Sequence, residues 1–282
     1  MEVKLAKSLG YCFGVERAVE KAYSLLDQGQ KIYTYGPIIH NESVVADLEK
    51  KGVGIIESID DIAGLNEGSV VIRAHGVSKA VYDALDEKGL EIIDATCPFV
   101  KRIHNTVSKE SADGTDIVIV GNAGHPEVLG IVGWCENGAT VIESEEEAEA
   151  YTNESGRKIC IVSQTTFQAE KFQHIVDIIQ KKGYNVIVVN TICNATEDRQ
   201  LAAEELAAEA DAMIVIGGKN SSNTKKLFEI CRKRCVHTYF IQTLDDLHLE
   251  LPKSVRLVGI TAGASTPNKI IEEVQNYVRI NF

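Results

Sequence analysis

The sequence has no apolar run near the roughly 20 residues that a membrane-spanning helix needs, and residues 1–14 lack the apolar core of an export signal. The expectation is a cytoplasmic protein with no membrane partner. Positive charge is scarce: 29 basic side chains stand against 41 acidic ones, a formal net charge of −12. That balance argues against nucleic acid and anionic lipid surfaces as partners, and leaves any anionic ligand to local binding groups. None of the seven cysteines belongs to a C-x-x-C pair, which disfavours a zinc ribbon, a thioredoxin site and a ferredoxin-type electron carrier. An odd number of scattered cysteines fits a reducing compartment better than a disulfide framework. No Pro-rich or Gly/Ser-rich linker divides the chain, so a single rigid body with modest hinge motion is expected.

What is present reads as an ordinary globular protein, with 44% hydrophobic and 25% charged residues in 282. Short β-branched strands at 32–35, 70–73, 117–120, 159–163, 185–189, 213–216 and 256–260 alternate with amphipathic segments. Such alternation implies α/β architecture with mainly parallel sheets and helices packed on them.

The chain also repeats itself. Gly10-Tyr11-Cys12-Phe13-Gly14-Val15, Ala95-Thr96-Cys97-Pro98-Phe99-Val100 and Thr191-Ile192-Cys193-Asn194-Ala195-Thr196 each place a cysteine before a helix, with a β-branched residue three positions on. A second element, a glycine and polar loop after a strand, recurs as Gly36-Pro37-Ile38-Ile39-His40-Asn41-Glu42, Gly121-Asn122-Ala123-Gly124-His125-Pro126-Glu127 and Gly217-Gly218-Lys219-Asn220-Ser221-Ser222-Asn223. The step from Cys12 to Cys97 equals that from His40 to His125, and the step from Cys97 to Cys193 equals that from His125 to Ser221. Arg73-Ala74-His75-Gly76, Ser163-Gln164-Thr165-Thr166 and Thr261-Ala262-Gly263-Ala264-Ser265-Thr266 form a third set. Features that hold one register this way indicate three similar α/β units about a pseudo-threefold axis. Their boundaries are expected near the cysteines: 1–96, 97–192, and 193–282 with a C-terminal helix.

In parallel α/β units, ligands gather where strands end and helices begin, because helix N-termini present unpaired N–H groups there. Three units facing one centre bring Cys12, Cys97 and Cys193 to one point, a soft donor set that suits zinc or an iron–sulfur cluster. A cluster with three cysteine ligands keeps one iron open for a substrate. Cys135, Cys160, Cys231 and Cys235 lie outside the repeat and are expected to pack in the core or at the surface. His40, His75 and His125 occupy repeated loops and are functional candidates, whereas His104, His174, His237 and His248 are not. Glu127, two residues after His125, is placed to donate a proton, although a first-turn carboxylate also suits a helix start on its own account. Thr165, Thr166, Ser221, Ser222, Asn223 and Ser265 serve equally as helix caps and as anion ligands.

Together, Gly-Tyr-Cys12-Phe-Gly-Val, His40-Asn-Glu, Arg-Ala-His75-Gly-Val, Asp-Ala-Thr-Cys97-Pro, Gly-His125-Pro-Glu127, Ser-Gln-Thr165-Thr166, Cys193-x-Ala-Thr196 and Ser221-Ser222-Asn223 resemble the 4-hydroxy-3-methylbut-2-enyl diphosphate reductase family, from about Gly10 to Ser265. The resemblance implies a trefoil-like fold around a central 4Fe-4S cluster held by Cys12, Cys97 and Cys193, with the open iron binding the substrate hydroxyl. It implies reductive loss of that hydroxyl to give isopentenyl and dimethylallyl diphosphates in the non-mevalonate isoprenoid pathway. By the same resemblance, His40, His75, Ser221, Ser222, Asn223 and Ser265 bind the diphosphate with Thr166 nearby. Glu127 is then the proton source, and His125 and Thr165 are its supporting network, themselves in contact with substrate. A low-potential electron donor such as ferredoxin or flavodoxin is the implied partner. Two other readings use the same residues: an iron–sulfur hydro-lyase that needs no external electrons, and a cluster-based sensor.

Overall fold

The computed structural model describes residues 1–249, 252 and 254–282. Along the chain, β1 (Glu2–Leu5) leads to α1 (Phe13–Asp27), followed by β2 (Ile32–Tyr35), α2 (Glu42–Lys50), β3 (Gly54–Ile56), α3 (Ile59–Ala63), β4 (Ser69–Ile72), α4 (Lys79–Lys88) and β5 (Glu91–Asp94). The middle third contains α5 (Pro98–Ala112), β6 (Asp116–Val120), α6 (Pro126–Val132), β7 (Thr140–Ile142), α7 (Glu145–Ala150), β8 (Ile159–Ser163), α8 (Ala169–Lys181) and β9 (Val186–Val188). The last third contains α9 (Asn194–Glu209), β10 (Ala212–Ile216), α10 (Ser222–Arg234), β11 (Thr238–Ile241), a 3-10 turn (Leu244–Asp246), β12 (Leu257–Ala262) and α11 (Asn268–Asn281).

The strands form three four-stranded parallel sheets, ordered β3-β2-β4-β5, β7-β6-β8-β9 and β11-β10-β12-β1. One plan is therefore written three times, with β1 taking in the third sheet the place that β5 and β9 take in the others. Inner strands such as Ser69–Ile72, Ile159–Ser163 and Ala212–Ile216 are buried at every position, as expected of strands covered on both faces. Their β-branched side chains meet helix residues: Ile159 and Ile161 pack with Phe172, Ile175 and Ile179 of α8, while Cys160 and Val162 pack with Ile103 and Val107 of α5.

Contacts divide the chain into two compact bodies. The first, Met1–Glu16, His40–Val44 and Asn194–Phe282, holds the sheet that contains β1, β10, β11 and β12. The second, Arg17–Ile39 and Val45–Cys193, holds the other two sheets. Among the described residues no helix is long and apolar enough to cross a membrane.

Candidate functional site

Each repeated cysteine follows the outer strand of a sheet and stands at the start of a helix, Cys12 after β1, Cys97 after β5 and Cys193 after β9. One hydrogen bond fixes each: the Cys12 N–H donates to Ala264 O (3.2 Å), the Cys97 N–H to Ala74 O (2.9 Å) and the Cys193 N–H to Thr165 O (3.1 Å). Those acceptors are the third repeated element, so two sequence features that recur independently meet in space, once per sheet. By these bonds each cysteine loop is tied to the sheet that precedes it. An Asx turn shapes two of the loops further: Asp94 Oδ1 accepts from the Thr96 N–H (2.9 Å) and Asn190 Oδ1 from the Ile192 N–H (3.0 Å). An Asx residue three positions before a cysteine is a signal that sequence reading passed over.

The three repeated cysteines stand at helix starts and are half-buried; of the remaining four, Cys135 is also half-buried, and Cys160, Cys231 and Cys235 are buried. Burial pushes the Cys160 thiol up to about 11 and those of Cys135 and Cys231 up to about 12, and it also raises Cys235. Neutral thiols of that kind are core packing rather than ligands. Among the described residues the cysteines form no disulfide.

In the first body, Ser265 Oγ donates to His40 O (2.9 Å), and a Cβ on Gly218 would lie 2.7 Å from the same carbonyl, so only glycine fits there. Ser221 caps α10 by accepting from the Thr224 N–H (3.3 Å), and Ser222 opens the helix in a half-buried position. Asn223 is 3% exposed, and neither end of its amide has a hydrogen-bond partner among the described residues. An orphaned buried amide costs on the order of 1–3 kcal/mol, and it sits where a helix N-terminus favours an anion. His40, Ser221, Ser222, Asn223 and Ser265 thus belong to one body, with Cys12 beside Ser265 through Ala264.

In the second body a continuous chain of contacts joins Cys97 to Cys193. Ala74, which holds the Cys97 N–H, precedes His75, whose ring meets that of His125 edge-on at 5.5 Å between centroids. His125 Nδ1 accepts from the Glu127 N–H (3.1 Å), which puts the proton of the neutral imidazole on Nε2. The Glu127 carboxyl, 2% exposed, accepts the Thr165 N–H (2.6 Å) and the Thr165 hydroxyl (2.7 Å). Thr165 O in turn receives the Cys193 N–H, and half-buried Thr166 follows in the chain.

Packing behind the His75 loop keeps it in place. Gly76 has φ of +72°, and a Cβ there would come within 2.6 Å of His104 Cε1. His104 stacks on Trp134 at 5.2 Å, and the Trp134 indole donates to Val77 O (2.9 Å). Burial pushes the His104 imidazole down to about 4, so it is neutral and acts as packing.

The family model described as LytB protein matches residues 3–279. A 4-hydroxy-3-methylbut-2-enyl diphosphate reductase of Caldanaerobacter subterraneus subsp. tengcongensis is 48% identical over 277 residues, covering 97% of this chain and 95% of its own. The reductase of the same name from Clostridioides difficile is 44% identical over 279 residues, 99% of each chain. Among solved structures, the E-1-hydroxy-2-methyl-but-2-enyl-4-diphosphate reductase of Plasmodium falciparum aligns with a TM-score of 0.90 at 30% identity, over 99% of this chain and 87% of that one. A second, described as (E)-4-hydroxy-3-methyl-but-2-enyl diphosphate reductase, the terminal enzyme of the non-mevalonate pathway, aligns with a TM-score of 0.69 at 42% identity, over 99% and 100%. The repeated cysteine loops, the three parallel sheets and the match over nearly the whole sequence agree: this chain belongs to the LytB protein family.

Proposed function

We infer that this chain is a 4-hydroxy-3-methylbut-2-enyl diphosphate reductase. It takes up two electrons and two protons, replaces the substrate hydroxyl by hydrogen, and releases water with isopentenyl or dimethylallyl diphosphate as the last step of the non-mevalonate isoprenoid pathway. The observation that carries this reading is Glu127, whose buried carboxyl accepts two hydrogen bonds from Thr165 and whose backbone N–H donates to His125, within the loop network that runs from Cys97 to Cys193.

The donor chemistry fits a 4Fe-4S cluster on Cys12, Cys97 and Cys193: three half-buried thiols at helix starts, each with its backbone held in the same way, while the other four are packing. This is the soft, three-point set that leaves one iron unligated by protein. When bound, the cluster supplies electrons one at a time and a Lewis-acidic iron.

The remaining work falls to the chain. His40, His75, Ser221, Ser222, Asn223 and Ser265, with Thr166 close by, bind the diphosphate through imidazoles, hydroxyls, an amide and the N-terminal N–H groups of α10. That donor set holds a multiply charged anion in a protein of net charge −12. Anchoring the diphosphate turns a bimolecular encounter into a positioned one. Glu127 delivers the proton that lets the hydroxyl leave as water. With Glu127 ionised, the Thr165 hydroxyl donates to it; once Glu127 is protonated that bond reverses, and the threonine hydroxyl is free to pass its own proton toward substrate. His125, its Nδ1 occupied by the Glu127 N–H, donates from Nε2. A low-potential carrier such as ferredoxin or flavodoxin supplies the electrons, in the cytoplasm where such thiols stay reduced.

The test is an anaerobic assay with and without a low-potential reductant. This reading expects both products only when reductant is present. Substrate dehydration without reductant means a hydro-lyase instead, and an intact cluster with no turnover of the diphosphate means a sensor.

A further inference from the structure

The three helices that start at the repeated cysteines differ in charge. α1 carries two basic side chains against three acidic ones and α9 one against five, whereas α5 carries Lys101, Arg102 and Lys109 against Glu110 alone. In a protein of net charge −12, α5 is the one cysteine helix that is positive. The acids around it are already countered: Asp94 pairs with Lys101 at 2.5 Å, and Lys158 approaches Glu110 at 3.7 Å. Arg102 and Lys109 are exposed and form no ion pair among the described residues. Asp113 follows only past the last turn, at the end far from Cys97.

The positive charge lies along one face. Pro98, Lys101, Arg102, Asn105, Thr106 and Lys109 line a shallow groove on α5, and positions 98, 102, 105 and 109 follow the spacing of a single helix stripe. Phe99, 43% exposed, borders it two residues from Cys97. Aromatic and arginine side chains together are the composition of a protein interface rather than of an ordinary solvated face. At 1.5 Å per residue the stripe runs about 18 Å from Cys97 to Lys109, on the scale of the small, transient contacts that redox partners make. α10 is basic as well, but Arg232, Lys233 and Arg234 gather in its last turn, where the helix dipole favours cations, and Arg234 pairs with Glu204 at 2.7 Å. Arg102 stands near the start of α5, where the dipole gives a cation no advantage.

We propose that this face of α5 is the docking surface for an acidic ferredoxin, the electron donor of the reductase reading above, on which the proposal rests. Opposite charge steers the carrier in and is screened by salt. Phe99 supplies an apolar anchor, and because α5 begins at Cys97, a carrier seated on its face lies beside a loop that holds the redox group. Each transfer oxidises the carrier by one electron and reduces the group held by Cys12, Cys97 and Cys193 by one, so two transfers supply the two electrons that the reaction consumes. A single helix face suits the smaller ferredoxin better than a flavodoxin.

The test is calorimetric titration of anaerobically reconstituted full-length protein with an acidic two-cluster ferredoxin, at low salt and at about 0.5 M salt, where screening removes most of the attraction. Iron content is measured on the same samples. The Arg102→Glu, Lys109→Glu double variant should bind about tenfold or more weakly at low salt and like the wild type at high salt, with Arg102→Gln, Lys109→Gln in between. Phe99→Ala weakens binding at both. In turnover, the charge-reversed variant raises the KM for reduced ferredoxin, keeps kcat, and works normally with dithionite-reduced methyl viologen. Arg232→Glu, Lys233→Glu, the same change of net charge on α10, keeps wild-type affinity. Wild-type affinity in the α5 double variant, or an equal loss in the α10 one, overturns the proposal. So does a wild type that reduces the diphosphate with methyl viologen yet binds no ferredoxin. A wild type that takes up no iron, or turns over no diphosphate with either reductant, sinks the reductase reading instead.

Discussion

At the scale of single residues, the site combines groups that stabilise the fold with groups that weigh on it. Glu127 is of the first kind, since its carboxylate receives two hydrogen bonds from Thr165. Glu127→Gln keeps the shape and loses the exchangeable proton, so substrate binding by calorimetry should change little while turnover falls by about 10²–10⁴-fold, the usual worth of a positioned acid. Near-normal turnover in that variant rules out the assignment. Asn223 is of the second kind. Replacing its unsatisfied amide with the similarly sized leucine should raise the melting temperature of the ligand-free protein and weaken diphosphate binding by about tenfold or more, a trade of function for stability. A lower melting temperature with unchanged affinity contradicts that account. His104 reports on pH. Burial holds its folded pKa at about 4, below the ordinary histidine value of 6.5, so the unfolded chain binds the extra proton. The associated stability is present above pH 6.5 and is lost as pH falls toward 4, by about 3 kcal/mol at most. Urea midpoints across that window should fall for the wild type and fall less for His104→Phe, which keeps a ring against Trp134.

At the scale of elements, what was legible in the sequence follows burial. The expected strands at 32–35, 117–120, 159–163 and 213–216 coincide with β2, β6, β8 and β10, because runs such as Ile159–Ser163 are buried at every position and consist mostly of β-branched residues. The one at 70–73 is Ser69–Ile72, and Arg73 already belongs to the loop. The short strands β1, β3, β5, β7 and β11 gave no clear pattern, since they have three or four residues and at most one of them is buried; their pairing partners, not their composition, make them strands. The cysteine loops stood out because they recur. The bonds that shape them did not, because Arg17 and Arg199 reach their carbonyls only through packing between distant segments. Asp94 tests this at the level of one turn. Burial favours its neutral form, but Lys101 and the Thr96 N–H outweigh burial and lower its pKa. Asp94→Ala should cost about 1 kcal/mol in urea unfolding, as a lost cap does, and speed iron loss, whereas Asp94→Asn keeps the turn and most of the iron. Equal iron retention in both variants would show that the turn does not hold the Cys97 loop.

At the scale of the whole molecule, three sheets of one order, three glycine-ended strands and three cysteine loops held alike mark a repeated module. The glycine bonds are as regular as the cysteine bonds: the Gly36, Gly121 and Gly217 N–H groups donate to Ile56, Ile142 and Ile241 O at 2.7, 3.0 and 2.9 Å. The modules have diverged at their corresponding loop positions: imidazoles in the first, an acid network in the second, and a hydroxyl and amide set in the third. The central claim is that Cys12, Cys97 and Cys193 hold one iron–sulfur cluster between them. The most direct measurement is iron and acid-labile sulfide per chain, with the visible absorption spectrum, on anaerobically purified wild type and on the Cys12→Ser, Cys97→Ser, Cys193→Ser and Cys160→Ser variants. The account predicts about four irons and four sulfides in the wild type and in Cys160→Ser, with each of the other three variants losing most of both. Full cluster content in any of those three, or none in the wild type, contradicts it.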